Sequence, residues 1–162
     1  MKKLLWFLVV LGVVFLDQWT KTWALKNLVP LQTVEVLPML NWHLAFNTGA
    51  AFSFLSDTGP WHRYFFVIFS AVVSLILSVW ILRLPAKAKL QSLALSLTLG
   101  GAIGNLIDRL MHGHVVDFID VYYKTNHWPA FNIADSAICL GAFCLLIDMF
   151  FHNRPQGGGI KD

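Results

Sequence analysis

Residues 64–84 read YFFVIFSAVVSLILSVWILRL, an apolar run with a single charge, Arg83, near its end. A stretch of this length matches the ~20 residues a helix needs to cross the hydrocarbon core of a bilayer. It decides the class of fold, because three more runs share its character, at about 4–25, 90–107 and 133–151. The composition agrees: 57% of the 162 residues are hydrophobic and 13% charged, against roughly 25% charged in soluble domains. A chain this short cannot hold four spans and a separate soluble domain. Residues 1–162 are therefore expected to form one all-α integral membrane domain with four transmembrane helices.

The run at 4–25 has a rival reading. Lys2-Lys3 followed by an apolar stretch to Leu16 resembles the start of a secretory signal peptide. No small-residue cleavage site follows, and the sequence continues into Asp17-Gln18-Trp19-Thr20-Lys21, so an uncleaved first helix is expected.

Charge sets the orientation. Lys2, Lys3, Arg83, Lys87, Lys89, Arg154 and Lys161, seven of the twelve basic residues, fall on one side. Glu35, Asp57, Asp108, Asp117, Asp120 and Asp135 fall on or near the other. The positive-inside rule then makes both termini cytoplasmic and places the connections at about 27–63 and 109–131 outside. The net charge of +3 mostly reflects this asymmetry and gives no argument for nucleic acid.

The first outer connection is too long for a turn. Thr33-Val34-Glu35-Val36-Leu37 alternates as a strand does, and Pro38 and Asn41 punctuate before Trp42-His43-Leu44-Ala45-Phe46. This predicts a small sheet on the membrane surface, with Trp42, Trp61 and Trp128 at the interface, where indoles settle. Asn47-Thr48-Gly49-Ala50-Ala51-Phe52-Ser53 reads as a turn into a short amphipathic stretch. The tail at 155–162, with Gly157-Gly158-Gly159, is expected to be disordered.

In the third run, Gly100 and Gly104 share a helix face and allow another helix to approach closely. No strand precedes them, which argues against a nucleotide-binding loop. Asn105, Asp108 and Arg109 follow within about a turn at the outer end, and Arg109 is expected to neutralise part of the Asp108 charge.

Asp117, in Val115-Val116-Asp117-Phe118-Ile119-Asp120, and Asp135, in Phe131-Asn132-Ile133-Ala134-Asp135, both fall where an apolar run meets a polar loop. Asn132 can cap the fourth helix, with Asp135 in its first turn. Taken singly, Asp135 reads as a helix-terminal charge and Asp117 as a solvated loop acid. Together at one mouth they suggest more. Two carboxylates in contact cannot easily both ionise and so share a proton. The charged one can take a proton from water while its neutral partner donates one, which is the basis of aspartic proteolysis.

Other candidates are weaker. Asp57-Thr58-Gly59 matches a tripeptide of soluble aspartic proteases but precedes Pro60-Trp61 ahead of a helix, and reads as a loop. His112 and His114 with Asp117 and Asp120 lack a regular ligand spacing, so no metal and no cofactor is expected. Cys139 and Cys144 read as small apolar residues. Asp17 and Lys21, four apart, form either a structural pair or a group that positions substrate.

These blocks, with Asn47-Thr48-Gly49-Ala50-Ala51-Phe52-Ser53 and Gly100-Gly101-Ala102-Ile103-Gly104-Asn105-Leu106-Ile107-Asp108-Arg109, resemble those of the bacterial lipoprotein signal peptidases (signal peptidase II). The resemblance covers nearly the full length, leaving out the tail after Arg154. It implies a multi-pass aspartic endopeptidase of the bacterial inner membrane, with its active site at the outer face. Such an enzyme cleaves diacylglyceryl-modified prolipoproteins immediately before the lipidated cysteine. The resemblance makes Asp117 and Asp135 the catalytic pair. Asn47, Asn105, Asp108, Arg109 and Asn132 would line the site or orient the aspartates, and Asp17 and Lys21 would shape the pocket. The partners implied are prolipoprotein substrates and membrane lipids, and the chain is expected to be a monomer. The rivals are a proton-coupled transporter, which would carry charges at different depths, and a non-enzymatic membrane scaffold.

Overall fold

A computed structural model describes residues 3–49 and 61–152, the side chains at 62, 151 and 152 excepted. Asp57-Thr58-Gly59, most of the stretch expected to be amphipathic after Asn47, and the glycine tail lie outside the described residues.

Helix α1 (Leu4–Asn27) runs until Leu28 turns extended ahead of Pro30. Strands β1 (Thr33–Leu37) and β2 (Leu40–Asn47) follow as an antiparallel pair. Helices α2 (Trp61–Arg83) and α3 (Lys89–Met111) come next, separated by a turn that contains Pro85. Then β3 (Val115–Tyr123), β4 (Asn126–His127) and α4 (Ile133–His152) complete the chain. All four helices are long and apolar enough to cross a membrane, by length and composition. Rows of large apolar residues stand exposed on them, including Leu8, Leu11 and Phe15 on α1 and Ile68, Phe69 and Leu75 on α2. Such faces suit contact with lipid rather than water.

The sheet has the order β1-β2-β3-β4, with every pair antiparallel. The sequence predicts this sheet in the first connection and puts Asp117 where an apolar run meets a polar loop. In the structure the second connection supplies the nine-residue strand β3, rich in β-branched and aromatic residues. It pairs with β2 from Leu40 to Asn47, interrupted by a register shift between Trp42 and Ala45. Leu44, Val116, Phe118 and Ala24 form a small buried cluster that fixes the sheet to the end of α1.

Helix α3 is the central element, with buried residues from Ser92 to Asp108. Its glycines set two different contacts. Gly104 lies so close to α1 that an added Cβ would meet Asp17 Oδ2 at 2.5 Å. Gly101 faces α4 instead, where a Cβ would strike the carbonyl oxygen of Ala134 and meet Ile138 Cγ1 at 2.7 Å. Backbone cannot give way as a flexible side chain can, so Gly101→Ala is expected to destabilise the protein by about 1–3 kcal/mol. Thermal unfolding in detergent checks this. An unchanged melting temperature would mean that α3 and α4 are not held this tightly.

Candidate active site

Three elements deliver carboxylates to one end of the bundle. Strand β3 carries Asp117, the first turn of α4 carries Asp135, and α3 supplies Asn105, Asp108 and Arg109. They meet at a cavity of about 1020 Å³ lined by Asn47, Asn105, Arg109, Asp117 and Asp135, among others. Trp128, Pro129, Ala130 and Phe131 form one wall, and Ser136 and Cys139 continue along α4. Both aspartates therefore open onto the same space.

Two asparagines tie them together. Asn132 caps α4: its Oδ1 accepts the Asp135 N–H at 2.9 Å, and its own N–H donates to Asp135 Oδ2 at 3.3 Å. This reciprocal arrangement is a capping box, and it fixes Asp135 relative to the helix start. The Asn132 amide, fully buried, donates to Asp117 Oδ1 at 2.7 Å. Asn105 Nδ2 donates to Asp135 Oδ1 at 2.8 Å, and its Oδ1 accepts from Asn132 Nδ2 at 3.3 Å. Asn47 Nδ2 reaches Asp117 Oδ2 at 3.2 Å, while its Oδ1 accepts the Gly49 N–H at 3.0 Å.

Beneath this layer lies a buried charge cluster. Lys21 Nζ donates to Asp17 Oδ2, Asp108 Oδ2 and Asn105 Oδ1, each at 2.9 Å. All three ammonium donors are thereby used. Asp17 Oδ1 accepts the Ala134 N–H at 2.9 Å, and Asp108 Oδ2 accepts the Val116 N–H at 3.0 Å. The cluster thus grips the start of α4 and the start of β3 at once.

Asp117 sits 3% exposed, and its carboxyl is pushed up to about 7, first by burial and then by the neighbouring charge of Asp135. The bonds from Asn47 and Asn132 pull the other way and are outweighed. An acid poised near neutrality, beside a second carboxylate, suits proton transfer at physiological pH.

Of the residues singled out in the sequence, Asp117, Asp135, Asn47, Asn105 and Arg109 line the cavity. Asn132, Asp17, Lys21 and Asp108 lie behind it. Asp108 makes its ion pair with Lys21, while the neighbouring Arg109 acts on it through charge without contact. Neighbours on a helix diverge by about 100°, so Asp108 turns inward while Arg109 reaches the cavity. There, Arg109 Nη1 donates to Asn105 O at 3.3 Å and its guanidinium covers the Phe66 ring at 5.4 Å. Of the histidine grouping, His112 and His114 stay together, with ring centroids 5.9 Å apart. His114 packs on Phe46 with ring centroids 4.6 Å apart, and Asp120 is held by Asn41 and His127. Burial, then the charge of His112, lowers the His114 imidazole below its usual value.

Gln18 is the residue sequence reasoning passed over. Its Nε2 donates to Asp108 Oδ1 at 2.8 Å, Asp17 Oδ2 at 3.1 Å and Gly104 O at 3.1 Å. Its place three residues before Lys21, on the same helix face, was the available signal.

The family profile described as signal peptidase (SPase) II matches residues 9–151. A lipoprotein signal peptidase of Acinetobacter baumannii (strain ATCC 17978) is 55% identical over 153 residues, covering 94% of this chain and 87% of the relative. One from Shewanella pealeana is 47% identical over 159 residues, covering 97% and 94%. A solved structure described as a bacterial membrane enzyme, determined by the in meso method at 2.3 Å resolution, superposes with a TM-score of 0.84. It shares 30% identity, and the match covers 97% of this chain and 94% of that one.

Proposed function

The chain belongs to the signal peptidase II family, and from that membership and the site geometry we infer how it acts. It is an aspartic endopeptidase that removes the signal peptide from diacylglyceryl-modified prolipoproteins, cutting just before the lipidated cysteine. The observation that carries the mechanism is the shared mooring of Asp117 and Asp135 through Asn132 and Asn105 at one cavity.

Asp117, the carboxyl pushed up to about 7 chiefly by burial, keeps its proton into the neutral range and serves as the acid of the pair. Asp135 takes a proton from a water molecule as the water oxygen attacks the scissile carbonyl carbon. Asp117 gives its proton to the carbonyl oxygen. Collapse of the tetrahedral diol then breaks the C–N bond, with Asp135 returning its proton to the leaving nitrogen and Asp117 regaining one from the diol hydroxyl. Arg109, planar and permanently charged, offers N–H donors to substrate carbonyls. The diacylglyceryl chains run beside exposed Leu140 and Phe143 of α4, next to Cys139 on the cavity wall.

The whole of 1–162 works as one membrane domain and as a monomer, with both termini cytoplasmic and the sheet and cavity at the outer face of the inner membrane. The bias of basic residues supports this placement. Neither a cofactor nor a metal enters the chemistry. The test is cleavage by purified protein in detergent. Processing that needs the lipid, survives chelator and leaves the modified cysteine as the new N-terminus supports the reading. Equal cleavage of unlipidated substrate, or none by folded protein, would overturn it.

A pH dependence follows. Activity is expected to fall on the alkaline side with a midpoint near 7, as Asp117 loses its proton. Asn47→Ala removes a bond that favours the carboxylate, so it shifts that limb to higher pH. A rate–pH profile of the variant decides, and a limb that stays in place or moves acidward contradicts the assignment of the proton.

A further inference from the structure

The cavity wall at 128–131 has an anchor separate from the groups that hold the two aspartates. Strand β4 is only two residues long and pairs with β3 at Tyr122 and Tyr123 alone. Beyond that pair, the segment's backbone is tied to β3 only at Trp128 and at the Phe131–Ile119 bridge. A side-chain clamp reinforces it. Asp120 of β3 is 5% exposed, and both its oxygens lie 2.9 Å from His127 Nδ1 of β4. Asn41 Nδ2 of β2 donates to Asp120 Oδ2 at 2.9 Å. The His127 ring also stacks on Tyr122, with centroids 5.3 Å apart.

What this clamp holds matters. Directly after His127, the Trp128 N–H donates to Val121 O at 2.8 Å, and the chain passes along the cavity as Trp128, Pro129, Ala130 and Phe131. The Phe131 N–H then donates to Ile119 O at 3.0 Å before Asn132 starts α4. The wall is thus pinned at both ends to β3. Asp120 itself does not line the cavity. Three residues from Asp117 on a strand, it falls on the opposite face.

We propose that His127 and Asp120 are positioning residues for substrate: by tying β4 to β3 they hold the 128–131 wall against which the peptide stretch flanking the scissile bond rests. This deepens the peptidase reading above and depends on it. The imidazole can donate from Nδ1 in its charged form and in one neutral tautomer, so the clamp needs no particular protonation state. Because the aspartates are moored separately, through Asn132, Asn105 and Lys21, loosening the wall weakens binding and spares the chemical step.

The test uses two variants of the full chain beside wild type. His127→Phe keeps a ring to stack on Tyr122 but donates nothing to Asp120. KM is expected to rise about ten-fold, the worth of one charge-assisted hydrogen bond, with kcat held within about two-fold. His127→Gln, whose amide can donate, restores KM most of the way. Amide exchange at Trp128 and Phe131 speeds up in His127→Phe while α4 is unaffected. An unchanged KM, a loss confined to kcat, or unchanged exchange overturns the proposal, and exchange decides it should a variant be too weak to assay. Failure of wild type to cleave strikes the peptidase reading itself; cleavage by wild type with an indifferent His127→Phe strikes only the clamp.

Discussion

Asp117→Asn is expected to lower kcat by on the order of 10⁴-fold, the upper range for loss of an acid–base group, and to shift stability relative to wild type in a pH-dependent way. The substitution keeps the shape and removes the titrating proton. Its amide oxygen can accept from only one of Asn47 and Asn132, and its NH2 cannot accept the other bond. The stability sign follows from the raised carboxyl. Asp117 goes from its ordinary 3.8 to about 7 on folding, so the folded state binds a proton that the unfolded chain releases. Its contribution to stability is fully present below 3.8 and is lost as pH rises through 7. Above that, wild type carries an ionised carboxylate in a buried site, and the asparagine variant does not. The melting temperature of Asp117→Asn should therefore gain on wild type as pH is raised from 6 to 8. Asp135→Asn should lose activity to the same degree, because the attacking water then has no base. Cleavage of lipidated prolipoprotein and thermal unfolding, measured on the same preparations, check both halves. Activity within about ten-fold of wild type in either variant removes that aspartate from the chemistry.

The legible part of this molecule was the part written in one-dimensional patterns. Runs such as 64–84 declare a membrane helix by length and composition alone, and Thr33–Leu37 declares a strand by alternation. Asn132 and Asp135 were readable because a helix cap is a local device with fixed spacing. Strand β3 was harder. Val115–Tyr123 has no clean alternation, since Val115, Val116, Asp117 and Phe118 are all buried: Val116 and Phe118 pack with Ala24 and Leu44, while Val115 and Asp117 face the cavity. A segment buried on both faces loses the period-two signature. Asp108 is legible only in part: adjacency in sequence points to the charge of Arg109, but the ion-pair partner, Lys21, lies 87 positions away in the chain. Long-range pairs of this kind leave no spacing to read. The His127–Asp120 clamp, seven positions apart on adjoining strands, is likewise unremarkable until the fold pairs those strands.

Lys21→Met should be the most destabilising single change outside the apolar core. Asp17 and Asp108 are 0% and 2% exposed, and Lys21 is the cation that both contact. Removing it leaves two carboxylates buried without a counter-charge, which typically costs about 3–5 kcal/mol. Methionine fills a similar volume, so little of the loss comes from a cavity. The charge explanation makes a second, sharper demand. Lys21→Met with Asp17→Asn returns the cluster to the net charge of wild type, one uncompensated carboxylate, and should recover part of the loss. The double variant is then more stable than the sum of the two single changes requires, a coupling of roughly 0.5–3 kcal/mol. Activity should respond as well, because Lys21 holds Asn105 Oδ1 at 2.9 Å and Asn105 in turn holds Asp135. A carboxamide released from one side can rotate, and misplacing the base by about 1 Å costs on the order of 10²-fold. Denaturation and cleavage of the two singles and the double separate these effects. Strict additivity would mean that Asp17 and Lys21 stabilise the fold independently. Full activity in a folded Lys21→Met would mean that Asn105 keeps its orientation without the ammonium, held by Asn132 and Asp135 alone.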